Sequence, residues 1–526
     1  MCYFSERQLR YFGGFLVAVW AIFLLARPIN LMVADLGRHL QNGRVIVNSV
    51  LDGDASARNA VLHTNFYSHT LSLFPFINHH WGSGVVFYAV FMAGGFTALS
   101  LFFILLSLVT LCLFFTAGLR GSNFFVVIIS SVWLVPLLAD RTEIRPEIFS
   151  YFFLALFFTL LWRHTRGQLR RHWLLYLLPI LQLVWANVHV YFFLGLVSIG
   201  SFFIEAWFER PRDLVKVKFL GKVGFLSIVA ACITPFGLRG LLYPLAIFKN
   251  YGYTVLENQS LFTLVKNGLT YPNIIIFCLT AVVLIVGYAS IIFRQPRYFF
   301  RAEVLLVCVV LVAGFFAVRN LALLGFFGVA LLPLLAAEVK KTFFPQRNFS
   351  KKWLVIAGTA VFFLTIGCNW GRLSIHAKNF GVGLAPGVAR AAEFMQTQGM
   401  DGSLFNNFDS GGYLIWSLHP TIKVFVDNRP EAYPAPFFTE RYIPMQSDDE
   451  TWKKELSVED FDTIFFSLSE STPWGQRFLV NRVQDPAWAP VYLDAYALIF
   501  LRRTPENAAV INEHEVSPDR FGITGD

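Results

Sequence analysis

Long apolar stretches recur through the first 368 residues and are separated by short polar segments. A bilayer core about 30 Å thick takes roughly 20 helical residues to cross, so each stretch predicts a membrane-spanning helix. Val85–Ala93 is apolar but short and is closed by Gly94-Gly95, so it predicts an interfacial helix instead. We therefore expect a polytopic α-helical membrane protein with about 11 spans (within one or two): Tyr11–Ala26, Phe96–Leu119, Phe124–Ala139, Ile148–Trp162, Trp173–Ala186, Tyr191–Phe208, Phe219–Thr234, Ile274–Phe293, Ala302–Val318, Leu321–Ala337 and Trp353–Cys368.

The polar residues between these stretches fall into two unlike sets. One set is Lys and Arg alone, in short loops: Arg163, Arg166, Arg170 and Arg171; Arg210, Arg212, Lys216, Lys218 and Lys222; Arg294, Arg297 and Arg301; Lys340, Lys341, Arg347, Lys351 and Lys352. Loops with such an excess stay in the cytoplasm, which predicts a cytoplasmic amino terminus. An odd number of spans then places the C-terminal portion outside. The second set is chemically mixed and collects on the outer face, where a reactive site would need such groups. Its members are Asp35 and His39; His79, His80 and Trp81; segment 140–147; Asn187 and His189; Glu257; and Arg319 and Asn320.

Composition agrees with a membrane class. Hydrophobic residues make up 56% of 526 positions and charged residues 15%, whereas soluble domains have about 25% charged residues. The formal charge of +9 arises in the short basic loops, so orientation in the bilayer explains it and no nucleic-acid partner is expected. No cysteine follows Cys368, so the C-terminal region has no disulfide framework.

The chain divides into four predicted regions. Residues 1–368 form a transmembrane domain that includes a long outer loop at 27–95, and 369–387 form a linker. Residues 388–505 form an extracytoplasmic α/β domain, and 506–526 a polar tail. Alternating elements predict an at least partly parallel sheet in the third region. Its predicted strands are Ser403–Asn406, Ile422–Asp427, Thr463–Ser467, Pro490–Asp494 and Ala497–Arg502, and its predicted helices are Val388–Gln398, Gly412–Leu418, Asp448–Leu456 and Gly475–Gln484.

An acidic residue stands just beyond the first span. In a helix, Asp35 and His39 would be i, i+4 neighbours on one face. A carboxylate at the membrane surface can take the proton of an acceptor hydroxyl while a lipid phosphate leaves. We therefore expect both residues to be catalytic. The alternative is an interfacial helix cap or a salt bridge to Arg38.

Segment 140–147 is densely charged although it joins two apolar stretches. Charges at a membrane boundary are costly unless they are paired or used. The guanidinium fork binds phosphate oxygens in two-pronged fashion, so Arg141 and Arg145 suit a phosphate or pyrophosphate leaving group. We expect these arginines and Glu147 to contact substrate and Glu143 to be an auxiliary catalytic group. The alternative is mutual neutralisation of the arginines by the glutamates.

Other polar positions occupy tight outer turns. Asn187 is expected to bind substrate and His189 to assist catalysis, Arg319 is a third expected phosphate contact, and His80 and Trp81 are further substrate-binding predictions. For Asn187 and His189, a polar turn beside an interfacial tryptophan is an equally good interpretation. Adjacent histidines diverge on a helix or strand, and no partner shows ligand spacing, so no metal site and no certain cofactor are predicted.

In the predicted α/β domain, acidic and basic residues follow strand ends. Ligands of parallel α/β units bind where strands finish, so Asp409, Asp427 and Arg429 are predicted to share one substrate-binding edge. The alternative is turn chemistry, because Asp and Gly are the usual turn residues.

With these residues in place, the chain resembles the GT-C superfamily of membrane glycosyltransferases and, within it, a group of bacterial GT-C-like membrane proteins. Segment Phe408–Gly411 is also distantly similar to the Trp-Trp-Asp-Tyr-Gly motif of oligosaccharyltransferase catalytic subunits, although both tryptophans and the tyrosine are missing. The motifs that carry the resemblance are Asp35-Leu36-Gly37-Arg38-His39-Leu40, His80-Trp81, Arg145-Pro146-Glu147, Trp185-x-Asn187-x-His189 and Asn407-x-Asp409-x-Gly411-Gly412-Tyr413.

The resemblance implies a donor sugar on a polyprenyl-phosphate carrier, an unidentified acceptor, and Asp35 as the base or the acceptor-orienting carboxylate. It also implies the bacterial inner membrane as location. Many members have paired acidic residues in the first loop, whereas Leu36 follows Asp35 here. A divalent metal therefore stays an open alternative.

Two other classes of function compete with a hexosyl or pentosyl transferase. A transporter of lipid-linked substrates would need polar residues near span centres, and Gln182 and Glu205 are candidates. A non-catalytic envelope scaffold would use the outer domain to hold a partner and would tolerate loss of Asp35.

Overall fold

The computed structural model describes residues 6–33, 35–169, 172–247, 249–347 and 350–521. Arg170, Arg171 and the last five residues of the predicted tail lie outside these ranges. The protein is mostly helical, with a helical bundle followed by a C-terminal domain around a small sheet. We call the end of the bundle on which that domain sits the capped end.

Fifteen helices form the part of the bundle that the structure describes. They are α1 Glu6–Leu25, α2 Leu36–Leu51, α3 Ala55–His63, α4 Trp81–Gly121, α5 Phe124–Leu138, α6 Glu147–Thr165, α7 Leu177–Val188, α8 Phe193–Phe208, α9 Leu214–Ala231, α10 Gly237–Ala246, α11 Leu261–Lys266, α12 Pro272–Arg294, α13 Ala302–Phe316, α14 Leu321–Phe343 and α15 Lys351–Lys378. Short 3-10 turns lie at His172–Tyr176, Val190–Phe192, Leu256–Asn258, Pro296–Phe300 and Val318–Asn320.

Each of the eleven predicted segments overlaps a helix, yet the count of spans is not confirmed. Among the described residues, six helices are long and apolar enough to cross a membrane: Trp81–Gly121, Glu147–Thr165, Val190–Phe208, Pro272–Arg294, Val318–Phe343 and Lys351–Lys378. Four more apolar helices have 10–17 residues. At about 1.5 Å per residue, such helices fall short of a hydrocarbon core about 30 Å thick.

Helix α14 is the centre of the bundle. Its residues from Leu321 to Leu331 are buried on every face, and it packs along α4 and α5. A helix that is apolar all round is stable only inside such a shell or in lipid. By contrast, α15 is largely exposed apart from its contact with α5, and it continues to Lys378, through half of the predicted linker.

A glycine pair bends α4. Gly94 and Gly95 leave helical geometry, and Gly95 has φ +64°, a conformation that costs little only for glycine. The first part of α4, which contains the predicted helix Val85–Ala93, therefore packs beside α2 at the capped end. The second part continues into the bundle.

The C-terminal domain has a four-stranded sheet of order β1-β2-β4-β3. β1 pairs parallel to β2, and the other pairs are antiparallel, as the partly parallel prediction requires. Its strands are β1 Leu404–Asn406, β2 Thr463–Ser467, β3 Trp488–Leu493 and β4 Ala497–Arg502. Its helices are α16 Arg390–Thr397, α17 Gly411–Leu418, α18 Ile443–Ser447, α19 Asp449–Glu459, α20 Pro473–Gln484 and α21 Ala508–His514, with a π-helical turn at Phe437–Tyr442 and 3-10 turns at Pro430–Ala432 and Pro518–Phe521.

The predicted strand Ile422–Asp427 is wrong. The Asn406 amide accepts from the Phe425 N–H at 3.0 Å and donates to the Val426 carbonyl at 2.8 Å. The Asn406 side chain thus occupies the backbone groups of residues 425 and 426 that would otherwise pair with β1, and no regular strand forms there. In the predicted polar tail, α21 packs against β3 and buries Ile511.

The C-terminal domain docks on the bundle through backbone contacts. Ser68 and Val424 form a parallel bridge, which ties the loop after α3 to the domain. α17 packs on α2 so closely that a Cβ on Gly37 would lie 2.4 Å from the Gly412 carbonyl oxygen. Only glycine fits there. This contact fixes the domain directly above Asp35, two residues before Gly37.

Candidate functional site

A cavity of about 740 Å³ lies between the capped end of the bundle and the C-terminal domain. The bundle contributes α2, the turns before α4, α6 and α8, the loop before α11, and the turn between α13 and α14. The domain contributes the turns after β1 and β2 and segment 428–431. Its charged lining residues are Asp35, Arg38, Asp140, Arg141, Arg145, Glu147, Lys249, Glu257, Arg319, Asp409, Glu431 and Glu470.

Asp35 lies at the amino-terminal end of α2 and is held by both parts of the molecule. Its Oδ2 is 3.5 Å from Arg145 Nη1 and 3.8 Å from Arg38 Nη2. Its Oδ1 accepts a 2.5 Å hydrogen bond from the Nδ2 of Asn428, in the C-terminal domain. Burial raises the pKa of Asp35, and the two arginines oppose that rise. The predicted salt bridge to Arg38 is present.

Asn428 was not predicted as a site residue. Its Oδ1 accepts from Arg38 Nε at 3.3 Å, so one amide connects the carboxylate and the guanidinium that flank it. An asparagine in a turn is unremarkable in a sequence, and its partner is 393 residues away.

Arg141 and Arg145 share a carboxylate, that of Glu257, which the sequence places in the mixed outer set but to which no site role was assigned. Glu257 accepts from Arg141 at 2.5 Å and from Arg145 at 3.0 Å, and Glu147 accepts from Arg141 at 3.0 Å. Burial favours the neutral acid, but the two arginines outweigh it and lower the pKa of Glu257 to about 2. Glu257 is the single acidic residue between Pro235 and Pro272, and that isolation was the signal available.

Arg319 lines the same cavity. Its guanidinium carbon lies 5.9 Å from the ring centroid of Tyr191. Within the described part of the chain, the buried Nε atoms of Arg319 and Arg145 have no hydrogen-bond acceptor. The three predicted phosphate-binding arginines thus converge on one space, and two of them retain an unused N–H.

The other two acidic residues of segment 140–147 have different surroundings from Glu147. Glu143 does not line the main cavity but an adjoining narrow pocket beside Leu25 and Tyr151, and Arg141, Arg145 and Glu147 line both spaces. Asp140 accepts from Asn273 at 2.8 Å and faces Arg372 of α15 at 3.4 Å. Asp140 therefore fastens helices together at the cavity rim.

Four histidines line one side of the cavity: His39, His79, His80 and His189. His80 is central, with its ring centroid 5.4 Å from that of His39 and 5.0 Å from that of His189. His79 was not predicted as a site residue. Among the residues that the structure describes, no group of three His, Cys, Asp or Glu side chains could hold a metal ion.

Besides Glu143, four predicted site residues do not line the cavity: Trp81, Asn187, Asp427 and Arg429. Trp81 Nε1 donates to Asn187 Oδ1 at 3.2 Å, and Asn187 donates to the Ile233 carbonyl at 2.9 Å, so this pair links the start of α4, the end of α7 and the segment after α9. Arg429 donates to both oxygens of Asp427, at 2.7 and 2.6 Å, in a buried pair.

Asp409 does line the cavity, from the turn after β1. Burial, the neighbouring Glu470 and then Asp35 raise its pKa to about 6. Tyr253, from the loop before α11, stacks on Phe408 with ring centroids 4.2 Å apart. The loop that carries Tyr253 and Glu257 is thus attached to the domain at one point and to the bundle arginines at another.

The fold is similar to that of the archaeal oligosaccharyltransferase AglB from Archaeoglobus fulgidus, solved in complex with an inhibitory peptide and a dolichol-phosphate. The TM-score is 0.61 at 9% identity, covering 93% of this chain and 74% of that chain. The apo form of the Archaeoglobus fulgidus oligosaccharyltransferase gives 0.61 at 10% identity, covering 90% and 71%. No protein-family model and no curated protein matches the sequence. The likeness is one of fold, and at that level the predicted distant similarity to oligosaccharyltransferases is confirmed.

Proposed function

We propose that this membrane protein is a GT-C-type glycosyltransferase that moves a hexosyl or pentosyl unit from a polyprenyl-phosphate carrier to an acceptor. The amino terminus is cytoplasmic, and the capped end faces the outside of a bacterial inner membrane. One observation carries the proposal: the Asp35 carboxylate lies 3.5 Å from Arg145, in a cavity that Arg141 and Arg319 also line, and the buried Nε–H groups of Arg145 and Arg319 have no partner among the described residues. A general base and an anion-binding group are thus adjacent.

The chemistry divides between these groups. Asp35 takes the proton of an acceptor hydroxyl, and the hydroxyl oxygen forms a bond to the anomeric carbon of the sugar. The bond between that carbon and the phosphate oxygen breaks, and its electron pair stays on the phosphate. Arg141, Arg145 and Arg319 hold the phosphate and stabilise the charge that develops on it.

The donor set does not fit a divalent metal ion. The groups nearest Asp35 are Arg38, Arg145 and Asn428, where a metal site would need further carboxylates or histidines. Glu257, the next carboxylate, is shared by two arginines. The mechanism therefore assigns the leaving-group charge to the guanidinium groups.

Lipid binding tests the anion site directly. Native mass spectrometry of the purified protein should show polyprenyl phosphate bound in preference to the matched polyprenol, which lacks the phosphate. Arg145→Ala should weaken phosphate binding by roughly 2–5 kcal/mol, because the contact is desolvated. Arg120→Ala is the matched control, since that exposed arginine ends α4 outside the cavity. Equal binding of polyprenyl phosphate and polyprenol would refute the site.

Transfer tests the base. Membranes containing the wild-type protein should move label from a radiolabelled polyprenyl-phosphoryl sugar to an acceptor in cell-envelope extract. Asp35→Asn keeps the size of the side chain, and its amide oxygen can still accept from Asn428. The variant should abolish transfer, while its thermal midpoint stays near that of the wild type. Retained transfer would remove Asp35 from the mechanism.

One observation favours the scaffold alternative. Arg141 and Arg145 are already neutralised by Glu147 and Glu257 at 2.5–3.0 Å, as a purely structural network would be. A scaffold would keep its partner-dependent phenotype in the Asp35→Asn variant. The transporter alternative loses its candidates, because Gln182 donates to the Phe192 carbonyl and Glu205 accepts from Arg166, which makes both of them links between helices.

A further inference from the structure

The four cavity histidines come from three places in the bundle. His39 lies in α2, His79 and His80 directly precede α4, and His189 directly follows α7. His80 contacts the other three, with His79 nearest at a ring-centroid distance of 3.9 Å. Three separate elements thus bring imidazoles to the cavity that also holds the arginines.

Neighbouring groups determine which nitrogen of His189 carries hydrogen. Trp185 Nε1 can only donate, and it donates to Ser150 Oγ at 2.7 Å. The Ser150 hydroxyl lies 2.7 Å from His189 Nδ1 and can donate its hydrogen to that nitrogen. The Tyr191 N–H also points at Nδ1, at 3.3 Å. His189 Nδ1 is therefore an acceptor, and Nε2 carries the hydrogen.

The other rings have different free functions. His79 Nδ1 lies 3.1 Å from the Ile77 carbonyl, which can only accept, so its Nε2 keeps a lone pair. Both ring nitrogens of His39 and Nε2 of His80 are buried with no hydrogen-bond partner in the ranges that the structure describes. Buried polar atoms are costly when unpaired, so such a group in a cavity wall is typical of a ligand site.

From these positions we infer that the four histidines form the subsite for a sugar ring, an uncharged group with several hydroxyls. The inference rests on the proposed function and specifies where the transferred unit of the donor lies. A hydroxyl both donates and accepts, and it therefore suits a wall that offers a donor at His189, an acceptor at His79 and unassigned nitrogens at His39 and His80. The sugar is bonded to the phosphate, and the arginines line the same cavity.

Competing ligands fit this wall less well. Burial lowers the pKa of His79 to about 3 and of His189 to about 4, and holds those of His39 and His80 well below the usual value. The rings are uncharged at neutral pH and offer an anion no opposite charge. A metal ion needs ring lone pairs, whereas the free nitrogen of His189 carries hydrogen.

Phenylalanine substitutions test the subsite because they keep the ring and remove its nitrogens. The binding probes are polyprenyl phosphate and five glycosylated forms of it, carrying glucose, mannose, galactose, N-acetylglucosamine or arabinose. In the wild type, at least one glycosylated form should bind 10- to 100-fold more tightly than the bare carrier, the gain expected from two or three hydrogen bonds. His80→Phe and His39→Phe should remove that preference and leave binding of the bare carrier unchanged.

The thermal midpoint separates a binding role from a structural one. Replacing an unpaired buried polar ring by an apolar one of similar shape is neutral or stabilising, so both variants should melt at or above the wild-type temperature. His63→Phe is the control, because His63 packs against Phe236 outside the cavity. It should retain the wild-type preference.

Three results would overturn the inference: no glycosylated form that binds more tightly than the bare carrier, equal loss of both ligands in the His80 and His39 variants, or variants that melt below the wild type and keep the preference.

Free glucose, offered at millimolar concentration, distinguishes an acceptor sugar from a donor sugar. If glucose displaces the glycosylated carrier but not the bare carrier, the histidines bind the donor sugar. If glucose binds while the glycosylated carrier stays bound, the histidines bind an acceptor sugar instead. Failure of polyprenyl phosphate to bind at all would refute the proposed function and not this subsite alone.

Discussion

The pair formed by Arg429 and Asp427 provides a stability prediction that needs no substrate. The two side chains are 2% and 0% exposed, and Arg429 also donates to Asn65 of the bundle at 2.8 Å. Its guanidinium carbon lies 4.6 Å from the ring centroid of Phe76. Arg429→Met keeps much of the apolar volume and removes the charge and all of these hydrogen bonds.

The expected loss follows from what the substitution leaves behind. Asp427 would remain a buried carboxylate without its cation, and breaking a buried pair in this way costs about 3–5 kcal/mol. For a folding unit of 150–250 residues, about 2–4 °C is lost per kcal/mol. The apparent melting temperature of the detergent-solubilised protein should therefore fall by roughly 6–20 °C.

Arg441→Met is the matched control. Arg441 also pairs with two carboxylates, those of Glu455 and Glu459, but it is 25% exposed. Water screens a partly exposed pair, so its loss should lower the melting temperature less than loss of the buried pair. The double variant D427N/R429M should recover part of the loss, because the unpaired charge is gone. An Arg429→Met protein that melts within 2 °C of the wild type, or no lower than the Arg441→Met protein, would refute the conclusion that the buried pair of Arg429 and Asp427 stabilises the fold.

Three further predictions concern the cavity. Glu257→Gln removes one carboxylate from the arginines that it neutralises, so polyprenyl phosphate should bind more tightly, by about 1–2 kcal/mol, in native mass spectrometry; weaker binding would contradict this. Asp409 has a pKa raised to about 6 in the folded protein, above its value in the unfolded chain, so its ionisation destabilises the fold as pH rises from about 4 through 6. The Asp409→Asn protein should therefore melt at a higher temperature than the wild type at pH 7.5. The difference in melting temperature should disappear at pH 4. Asn428→Asp places a second carboxylate beside Asp35 and should move the acidic limb of the transfer pH profile upward, whereas an unchanged limb would separate Asn428 from the base.

Local patterns predicted the elements well. Apolar stretches such as Phe124–Ala139 became helices because hydrophobic length and helix propensity are properties of neighbouring residues. The strands Thr463–Ser467 and Ala497–Arg502 have the predicted bounds. The segment Ile422–Asp427 also has strand composition, but the Asn406 side chain occupies its hydrogen-bonding groups. No local pattern reveals that competition.

Site residues were predictable where a charged side chain stands at the end of an apolar stretch. Asp35, Arg141 and Arg145 stood out as charges at the ends of apolar stretches, and the structure brings them to one cavity. Asn428 and Glu257 contact them from 393 and 112 residues away. Asn428 is an ordinary loop residue taken alone, and the isolation of Glu257 did not reveal its partners. The roles of those side chains depend on how the C-terminal domain docks, which one sequence does not specify.

The hydrogen bond between Asn428 and Asp35 has a consequence for biosynthesis. A ribosome releases the residues of α2 long before segment 428–431, and the N-terminal part of a chain folds first. Until the C-terminal domain has been made and has docked on α2, Asp35 lacks its amide partner and the cavity lacks the lining residues that this domain contributes. A nascent or truncated chain is therefore inserted in the membrane without an assembled site, and the last domain to be translated completes it.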